Sequence, residues 1–391
     1  MFVNEVKEHL TKDIIPFWKK LHDDTYGGFY GYMDYDLNVE EKAAKGAILN
    51  SRILWFFSNA YILLKDSSLL EEATHAYEFL KNCCIDKENG GIYWSLNYDG
   101  SIEDSTKHTY NQAFAIYALS SYYDASGKQE ALDLAYDLYH IVEEKCTDEY
   151  GYKEAQSAEF QLISNDKLSE NGVIADKTMN TLLHVFEGYT ELYRVTKDEE
   201  VKGHLLDMLQ IFSEKVYNPE LRRQEVFFDH QWNSLIDLQS YGHDIESSWL
   251  IDHGCRIIGD DEVTKKIGAI TSDLAARIYE RAYVDHSLLN ECENGVDNTM
   301  RIWWVQAETV LGFMNEYHKH PEETKYKDAT LDVWNYIKTK LVDHRNGSEW
   351  YWQLDAKGNP DDNKPIVEPW KCPYHNGRMC FEIMKRGGDI A

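Results

Sequence analysis

Apolar residues recur along the chain at the i, i+3, i+4 and i+7 spacing that places them on one face of an α-helix. In this 391-residue chain the pattern predicts about twelve helices. We expect them at residues 4–22, 51–64, 69–84, 110–126, 129–146, 177–196, 201–218, 242–259, 263–283, 299–320, 325–344 and 374–387. The chain is therefore predicted to be all-α.

Short segments rich in aromatic residues and glycine separate alternate helices. They are GGFYGYMD from Gly27, GGIYWSLN from Gly90, YGYKEA from Tyr150, VFFDHQWN from Val226, LLNECENG from Leu288 and GSEWYWQLD from Gly347. Their composition is typical of strand pairs or extended loops, and they recur at roughly 60–75 residues. The pattern indicates six copies of a unit that consists of a helix, a turn, a second helix and a long aromatic loop. The chain begins at the second helix of the first copy.

A pair of helices cannot bury its apolar face alone, whereas six pairs closed into a ring can. The repeat therefore predicts an (α/α)6 barrel, with one helix of each pair inside and short β-hairpin-like loops on one face. An open solenoid is the alternative, but the loops vary in length and the last segment, MCFEIMKR, is as apolar as the middle ones. No linker rich in Pro, Gly or Ser divides the chain, so we expect a single barrel domain over residues 1–391.

Charge and composition narrow the classes of partner. The formal net charge of −28 repels phosphate backbones and anionic lipids, so we expect neither nucleic acid nor a membrane surface as a partner. The 13% aromatic content indicates a large aromatic core or flat faces for a ring-shaped ligand. The N-terminus, MFVNEVKEHLTKD, has no apolar signal region, and the longest apolar stretch, ILWFFSNAYILL, is too short to span a bilayer.

The seven cysteines are odd in number and form no C-x-x-C pair. We therefore expect reduced thiols in a cytoplasmic protein and no zinc site built on cysteine. We also expect the protein to be a monomer.

The N-terminal ends of the inner helices of such a barrel lie on one face, where their first two turns meet a shared cavity. We expect the first helix after each aromatic loop to be an inner one. Each of these starts carries ionisable or aromatic residues: NSRILW (Arg52), KHTYNQAF (His108, Tyr110, Asn111), DKTMNTLLH (Asp176, Asn180, His184), YGHDIESSW (His243, Glu246), RIWWVQAE (Trp303, Trp304, Glu308) and WKCPYHNGR (Trp370, His375, Arg378). A lone histidine on an apolar helix is usually a packing residue, but six polar starts directed to one place indicate a ligand site.

Other histidines serve as a comparison. We place nine of them on outer helices, helix ends or turns and interpret them as surface or packing residues: His9, His22, His75, His140, His204, His253, His318, His320 and His344. The roles of His108, His230 and His286 stay open.

Three chemistries could use these helix starts. His243 and Glu246 share one helix face and could bind a metal, but the H-E-x-x-H pattern is absent and nearby arginines oppose a cation. We therefore expect no metal. Glycoside hydrolysis needs two facing carboxylates, for which Asp176, Glu246 and Glu308 are candidates, but it does not account for three histidines.

Proton transfer at a carbon next to a carbonyl is the third chemistry. It needs a base that works near pH 7, which suits histidine, and inversion needs an acid on the opposite face. An arginine can stabilise the enediolate oxygens. Glu246, one turn from His243, is expected to orient that imidazole. A sugar-binding module without turnover remains an alternative.

Six segments carry a family resemblance. LNSRILWFFSNAY, TKHTYNQAFAIYALSSYY, SENGVIADKTMNTLLHV, SYGHDIESSWL, RIWWVQAETVLGF and WKCPYHNGRMC resemble the N-acylglucosamine 2-epimerase superfamily over nearly the whole chain. PYHNGRMC and SYGHDIE are the most specific of these motifs. WWVQAE stands where the N-acyl sugar epimerases carry WWP-type variants, which favours the branch of the superfamily that acts on cellobiose.

The resemblance implies an (α/α)6 barrel that needs no cofactor and reversibly epimerises C2 of the reducing-end sugar in β-1,4-linked disaccharides. Cellobiose would become glucosyl-mannose, and lactose would become epilactose. Epimerases or aldose–ketose isomerases of monosaccharides are the alternatives.

The resemblance also implies roles for individual residues. It makes His243 and His375 the acid/base pair, His184 a third active-site histidine, Arg52 the stabiliser of a cis-enediolate and Glu246 a supporting group. It implies that Trp303, Trp304 and Trp370 stack on the sugar. Tyr110, Asn180, Asp176 and Glu308, taken from the helix starts, complete the expected substrate-binding set.

Overall fold

The computed structural model describes residues 1–169 and 171–390. Its α-helices are α1 (Phe2–His9), α2 (Ile15–Lys19), α3 (Ala47–Leu64), α4 (Ser67–Phe79), α5 (Thr109–Ser126), α6 (Gln129–Lys145), α7 (Met179–Thr196), α8 (Glu199–Ile211), α9 (Tyr241–Ile258), α10 (Asp261–Arg281), α11 (Trp303–Lys319), α12 (Thr324–Tyr336) and α13 (His375–Arg386). Two residues lie outside the described part of the chain: Glu170, which belongs to the segment SENGVIADKTMNTLLHV, and Ala391, the last residue of the predicted domain.

Four π-helical turns join or lengthen these helices. Leu10–Ile14 joins α1 to α2, while Leu80–Cys84, Phe212–Val216 and Ile337–Leu341 extend α4, α8 and α12. A 3-10 helix, Gly387–Asp389, follows α13. Since α1 and α2 form one continuous helix, the described residues contain twelve long helical segments, as the apolar pattern predicts. The predicted boundaries differ from the observed ones by at most four residues.

The helices form two concentric rings. The inner ring consists of α3, α5, α7, α9, α11 and α13, each packed against the next, and it closes because α13 packs against α3. Five inner helices pack on the outer helix that follows them, and α13 packs on α1 from the other end of the chain. The predicted (α/α)6 barrel is therefore confirmed, and the open solenoid is wrong.

Glycines allow the inner helices to approach closely. A Cβ atom on Gly188 of α7 would stand 2.7 Å from the carbonyl oxygen of Ala113 on α5. One on Gly312 of α11 would stand 2.5 Å from Cγ1 of Ile245 on α9. Any side chain at these positions would force neighbouring inner helices apart, because a packed interior has no room to absorb it.

The inner helices are apolar on most of their surface, as expected of helices enclosed on all sides. In the described part of the chain, Ala47–Leu64 (α3) is the one helix long and apolar enough to cross a membrane by length and composition. However, 72% of it is buried inside the protein, where it forms one wall of the inner ring.

Short antiparallel strands link successive repeats. The strands are β1 (Lys45–Gly46), β2 (Ser95–Leu96), β3 (Ile102–Asp104), β4 (Lys107–His108), β5 (Thr147–Asp148), β6 (Gly151–Tyr152), β7 (Ala155–Gln156), β8 (Lys177–Thr178), β9 (Tyr217–Asn218), β10 (Arg223–Gln224), β11 (Phe227–Phe228), β12 (Leu238–Ser240), β13 (Tyr283–Val284), β14 (Ser287–Leu288), β15 (Glu291–Glu293), β16 (Val296–Asn298), β17 (Arg301–Ile302) and β18 (Gln353–Leu354). Five of them directly precede an inner helix.

Each of those five strands pairs with a strand of the following loop: β1 with β2, β4 with β7, β8 with β11, β12 with β15, and β17 with β18. A bridge between Met33 and Val367 joins the first loop to the last and completes the circle. The strands β3 and β16 extend two of these pairs, and β5–β6, β9–β10 and β13–β14 are separate hairpins. The pairings hold the N-terminal ends of the inner helices in one ring.

Buried ion pairs anchor three of the loops to that ring. In each, a buried lysine in the strand before an inner helix binds an aspartate of a preceding hairpin turn. The pairs are Lys45–Asp23, Lys107–Asp86 and Lys177–Asp148, with Nζ–Oδ distances of 2.6, 2.8 and 2.9 Å. Burial is costly for a charge unless it is paired and hydrogen-bonded, so each lysine favours one loop position.

Candidate active site

A cavity of about 280 Å³ opens at the N-terminal ends of the inner helices. Every inner helix contributes to its wall: Arg52 from α3, Tyr110 from α5, Asn180 and His184 from α7, His243 and Glu246 from α9, Trp303 and Trp304 from α11, and His375 from α13. Segments between the helices add Lys167, Leu168, Ser240, Asn290, Glu291, Trp352 and Trp370. Ten of the twelve site residues expected from sequence thus line one cavity.

The three histidines of the cavity are held in the same way. In each, the Nδ1 atom is hydrogen-bonded to a protein oxygen: His184 to Oε2 of Glu187 at 2.8 Å, His243 to Oγ of Ser240 at 2.7 Å, and His375 to Oε1 of Glu308 at 2.7 Å. Among the described residues no hydrogen bond engages their Nε2 atoms. Because the bond at Nδ1 orients the ring, Nε2 is the nitrogen left for a ligand.

The structure corrects the expected role of Glu246. We expected this carboxylate to orient His243, but the imidazole turns back to Ser240, the N-cap residue of α9. Glu246 instead accepts a hydrogen bond from Arg378 on α13. Spacing on one helix face brings the pair near each other, but a cation from another helix attracts the carboxylate more strongly than a neutral imidazole does.

Beneath the cavity, Arg378 gathers three buried carboxylates. Its Nη1 donates to Glu187, and its Nη2 donates to both Glu246 and Glu308. Burial, with the adjacent Glu308, raises the pKa of Glu246 to about 7, and burial also raises the pKa of Glu308. Burial opposes the charge of Glu187, but Arg378 and His184 lower its pKa to about 2. Three carboxylates around one guanidinium therefore retain a proton near neutral pH.

The imidazoles of His243 and His375 are in their basic form. Burial lowers the pKa of His243 to about 3. Burial also lowers the pKa of His375 well below its ordinary value, reinforced by the positive charges of Arg378 and Arg52. Both rings are therefore neutral at physiological pH and can accept a proton.

Arg52 is a buried cation without a carboxylate. Its Nη2 donates to the hydroxyl of Tyr110 at 2.8 Å, and its guanidinium lies 4.2 Å from the ring centroid of Phe114. Burial opposes its charge, yet Tyr110, Cys372 and Tyr374 raise its pKa above the ordinary value. No described carboxylate lies within 4.0 Å of it, in contrast to Arg378. A positive charge of this kind can stabilise an anion that forms in the cavity.

Trp304 contacts both of these imidazoles. Its ring centroid is 4.9 Å from that of His243 and 5.3 Å from that of His375. The glycine of the SYGHDIE motif makes this placement possible, since a Cβ atom on Gly242 would stand 2.5 Å from Cη2 of Trp304. A flat ligand against this indole would therefore lie close to both histidines.

A metal site can be tested on the same residues. Glu246, Glu308 and His375 offer ligand atoms within 4.8 Å of one another. However, Arg378 donates to both carboxylates, and His375 is bonded to Glu308. The donor set is thus engaged by a guanidinium, whose charge opposes a second cation.

Two expected substrate contacts lie outside the cavity wall. Glu308 is fully buried behind it, where it holds His375, Arg378 and Nε1 of Trp249. Asp176 is exposed and does not line the cavity.

The histidines left open also lie elsewhere. His108 is buried with its ring centroid 4.5 Å from that of Trp94, and burial lowers its pKa to about 3. The side chains of His230 and His286 are 52% and 73% exposed. The placement of His253 with the outer helices, helix ends and turns is wrong, because this residue lies within the inner helix α9.

Sequence reasoning missed several residues of the site. Glu187 stands three residues after His184, so the spacing noted for His243 and Glu246 was present there too. Ser240 and Trp352 lie in extended segments, where no helical periodicity marks the side that faces the cavity. Lys167 gave no signal, because its loop belongs to none of the repeated aromatic segments.

Comparisons with known proteins agree with this geometry. The family model for N-acylglucosamine 2-epimerase (GlcNAc 2-epimerase) matches residues 28–376. A cellobiose 2-epimerase of Ruminococcus albus is 50% identical over 391 residues, which is 100% of both chains. The solved structure of a sugar epimerase from a ruminal bacterium superposes with a TM-score of 0.98 at 48% identity, covering 99% of both chains.

A second solved structure, that of a cellobiose 2-epimerase from Bacillus thermoamylovorans, gives a TM-score of 0.95 at 46% identity, over 98% of this chain and 99% of that one. The chain is an (α/α)6-barrel protein with a histidine-rich cavity. It belongs to the N-acylglucosamine 2-epimerase family and is thus a carbohydrate epimerase, an isomerase.

Proposed function

We propose that the protein is a cellobiose 2-epimerase, which converts cellobiose reversibly to glucosyl-mannose. The observation that carries this proposal is the pair of anchored histidines, His243 and His375, which both contact Trp304 in one cavity. Arg52, a cation without a carboxylate partner among the described residues, lines the same cavity. Close relatives over the full chain are cellobiose 2-epimerases, which supports the choice of substrate.

The substrate would lie with its reducing-end ring among Trp303, Trp304 and Trp370. Lys167 and Trp352 also line the cavity, and Trp352 offers an aromatic face for the second ring of a disaccharide. Acceptance of lactose, with epilactose as its product, follows from the same arrangement, since the reducing-end glucose is common to both disaccharides.

The reaction begins with ring opening, in which the O1 hydroxyl loses its proton and O5 gains one, leaving an aldehyde at C1. We assign His184 to this transfer because its Nε2 is free and its Nδ1 is held by Glu187. One of His243 and His375 then takes the proton from C2. The electron pair of the C–H bond forms the C1=C2 bond, and O1 becomes the negative oxygen of a cis-enediolate next to Arg52.

The other histidine returns a proton to the opposite face of C2, and the electron pair moves back to restore the aldehyde. This step needs an acid, although both imidazoles are neutral. When His375 is the acid, the proton comes from the cluster below, where Glu308 lies 2.7 Å from Nδ1 of His375. A proton taken up at Nδ1 makes His375 an imidazolium whose Nε2 can donate. In the reverse direction His243 donates the proton that it took from C2 of the other epimer, and His375 returns the proton of its Nδ1 to Glu308. No oxidation occurs, so the reaction needs no redox cofactor, and we propose that none is used.

We also propose a cytoplasmic, monomeric protein whose partners are neutral sugars rather than nucleic acid or membranes. The seven cysteines are free thiols, as expected in a reducing compartment. The net charge of −28 disfavours polyanions.

Incubation with cellobiose in heavy water tests the reaction. We expect glucosyl-mannose that carries deuterium at C2, because the proton removed and the proton returned occupy different bases. Product that retains its original C2 hydrogen would contradict the two-base mechanism. Release of glucose would indicate a hydrolase, and sensitivity to chelators would indicate a metal enzyme.

Single substitutions distinguish the roles of the two proposed bases. His243→Ala and His375→Ala are each expected to abolish epimerisation, while each variant still exchanges the C2 hydrogen of the one epimer that its remaining histidine faces. His204→Ala is the matched control. His204 lies on the outer helix α8 and pairs with Glu143 of α6, so we expect this variant to keep full activity. Substantial turnover by either active-site variant would refute the proposal.

A further inference from the structure

A second cavity, of about 240 Å³, lies at the opposite end of the barrel from the active site. It is formed by residues toward the C-terminal ends of α3, α5, α7 and α9, together with α13. We call it the distal cavity, and its wall includes Trp55, Tyr117, Glu191, His253 and Glu382. It is close in size to the active-site cavity of about 280 Å³.

Aromatic rings form one part of its wall. Trp55 and Tyr117 stack with centroids 5.3 Å apart and ring planes at 19°, and Trp249 lies against the guanidinium of Arg378. Such flat apolar surfaces next to polar groups are typical of sites for small molecules with one apolar face and many hydroxyl groups.

The charged groups of the wall are paired with one another. Arg194 binds Asp124 at 2.6 Å and Glu191 at 2.8 Å, and Lys385 binds Glu382 at 3.2 Å. Burial lowers the pKa of His253 to about 4, so this imidazole is neutral. With acids and bases balanced, the distal cavity has no excess charge that would select an ion, and its ligand should be neutral.

Several polar groups in the wall or directly beside it lack a partner. The Nε of Arg378 and the Oγ1 of Thr190 are buried without a hydrogen bond, and their residues are 2% and 4% exposed. Thr190 lines a smaller adjoining space together with Tyr117 and His253. Neither the hydroxyl of Tyr117 nor the ring of His253 makes a hydrogen bond within the described residues. Buried polar groups are normally satisfied, so this concentration of free donors and acceptors points to a polar occupant.

We propose that the distal cavity is a second binding site, for a neutral polyhydroxy ligand of the size of one hexose ring. The ring would lie against Trp55 and Tyr117, and its hydroxyls would bond to the hydroxyl of Tyr117 and the ring of His253. The mouth allows entry, because Arg194, Asp124 and Lys385 are 32%, 38% and 44% exposed.

The site would communicate with the active site through one side chain. Arg378 forms part of the wall of the distal cavity, while its Nη atoms bind the carboxylates beneath the active-site cavity. A ligand that packs against Arg378 would therefore act on the group that holds Glu308 and, through it, His375.

Fluorine NMR of the protein labelled with 5-fluorotryptophan tests the site. The probe is methyl β-D-glucopyranoside, whose ring cannot open, so that binding is observed without turnover. The resonances of Trp55, Trp249 and Trp304 are assigned by single replacements with phenylalanine. We expect the resonances of Trp55 and Trp249 to shift with a binding midpoint of their own, different from that of Trp304 in the active site.

Asn59→Phe fills the distal cavity from α3, where Asn59 forms part of its wall. It should weaken the response of Trp55 and Trp249 at least tenfold while leaving that of Trp304 unchanged, which also shows that the variant is folded. Asn335→Phe, the same change on the exposed face of α12, should alter neither. The proposal is overturned if Trp55 and Trp249 do not respond in the unaltered protein, or if their response persists in Asn59→Phe with the midpoint of Trp304. The second result would mean that the shifts are relayed from the active site.

Discussion

Replacing Arg52 by methionine tests the charge on which the proposed intermediate depends. A guanidinium about 4 Å from the enediolate oxygen, at an effective dielectric constant of about 20, contributes about 4 kcal/mol. The negative charge develops only after the substrate has bound, so the loss should fall on kcat rather than on KM. We expect kcat for cellobiose epimerisation to fall about 10³-fold, as measured by chromatographic separation of the two disaccharides.

The effect on stability separates this variant from general damage. Arg52 has no carboxylate partner, so methionine leaves no buried charge unpaired; it loses the contact with Phe114 and the hydrogen bond to Tyr110. We expect the free energy of unfolding to change by no more than about 2 kcal/mol. Arg378→Met is the matched comparison, because it strands the carboxylates of Glu187 and its neighbours and should cost about 3–5 kcal/mol.

Calorimetric unfolding of both variants, together with their rates, decides the issue. Arg52→Met that unfolds like the native protein but has lost about three decades of kcat supports the assigned charge. If Arg52→Met keeps more than a tenth of the native kcat, or is as unstable as Arg378→Met, the assignment of Arg52 to the enediolate is refuted.

Three further changes test the groups behind the site and the fold. Glu308→Gln removes the carboxyl that passes a proton to Nδ1 of His375 and then stands beside the imidazolium as its counter-charge. It should lower kcat about 10–100-fold and shift the acid limb of the pH profile to lower pH, because the imidazolium is no longer stabilised; an unchanged profile would contradict the pairing. Ser240→Ala should lower kcat about 5–10-fold, because His243 loses one neutral hydrogen bond, and a rate equal to that of the native protein would exclude this orienting role. Burial raises the pKa of Glu154 to about 7 in the folded protein, above its ordinary 4.5, so folding binds a proton in this window and stability falls as pH rises through it. Glu154→Gln should therefore gain up to about 3 kcal/mol relative to the native protein between pH 5 and pH 8, and a difference independent of pH in thermal unfolding would disprove the shift.

The helices and their ring were predictable because burial leaves a period in the sequence. Inner helices such as α3 and α7 begin where polar residues interrupt an apolar run, and this pattern located Arg52, His184 and His243 before any geometry was known. The barrel closes because the last helix carries the same pattern as the others. Periodicity is a local property, and these features depend on it alone.

Partners across the barrel could not be predicted, because they depend on distances that the chain does not encode locally. Glu246 stands one turn from His243, yet its carboxylate binds Arg378, which is 132 positions away. The neighbour of His243 is the hydroxyl of Ser240, a residue whose conformation at the start of α9 follows from the pairing of β12 with β15. His253 was interpreted as a surface or packing residue because the inner helices were analysed only at their starts, and this residue lies in the second half of α9.

The last inner helix has a role that its position in the chain does not suggest. α13 supplies both His375, one of the proposed bases, and Arg378, which binds carboxylates from α7, α9 and α11. These contacts exist only because α13 packs against α3 and closes the ring. Closure of the barrel and assembly of the proton-transfer site are therefore one event: with α13 displaced, the cavity would lose a base, and three buried carboxylates would lose the cation that makes their burial tolerable.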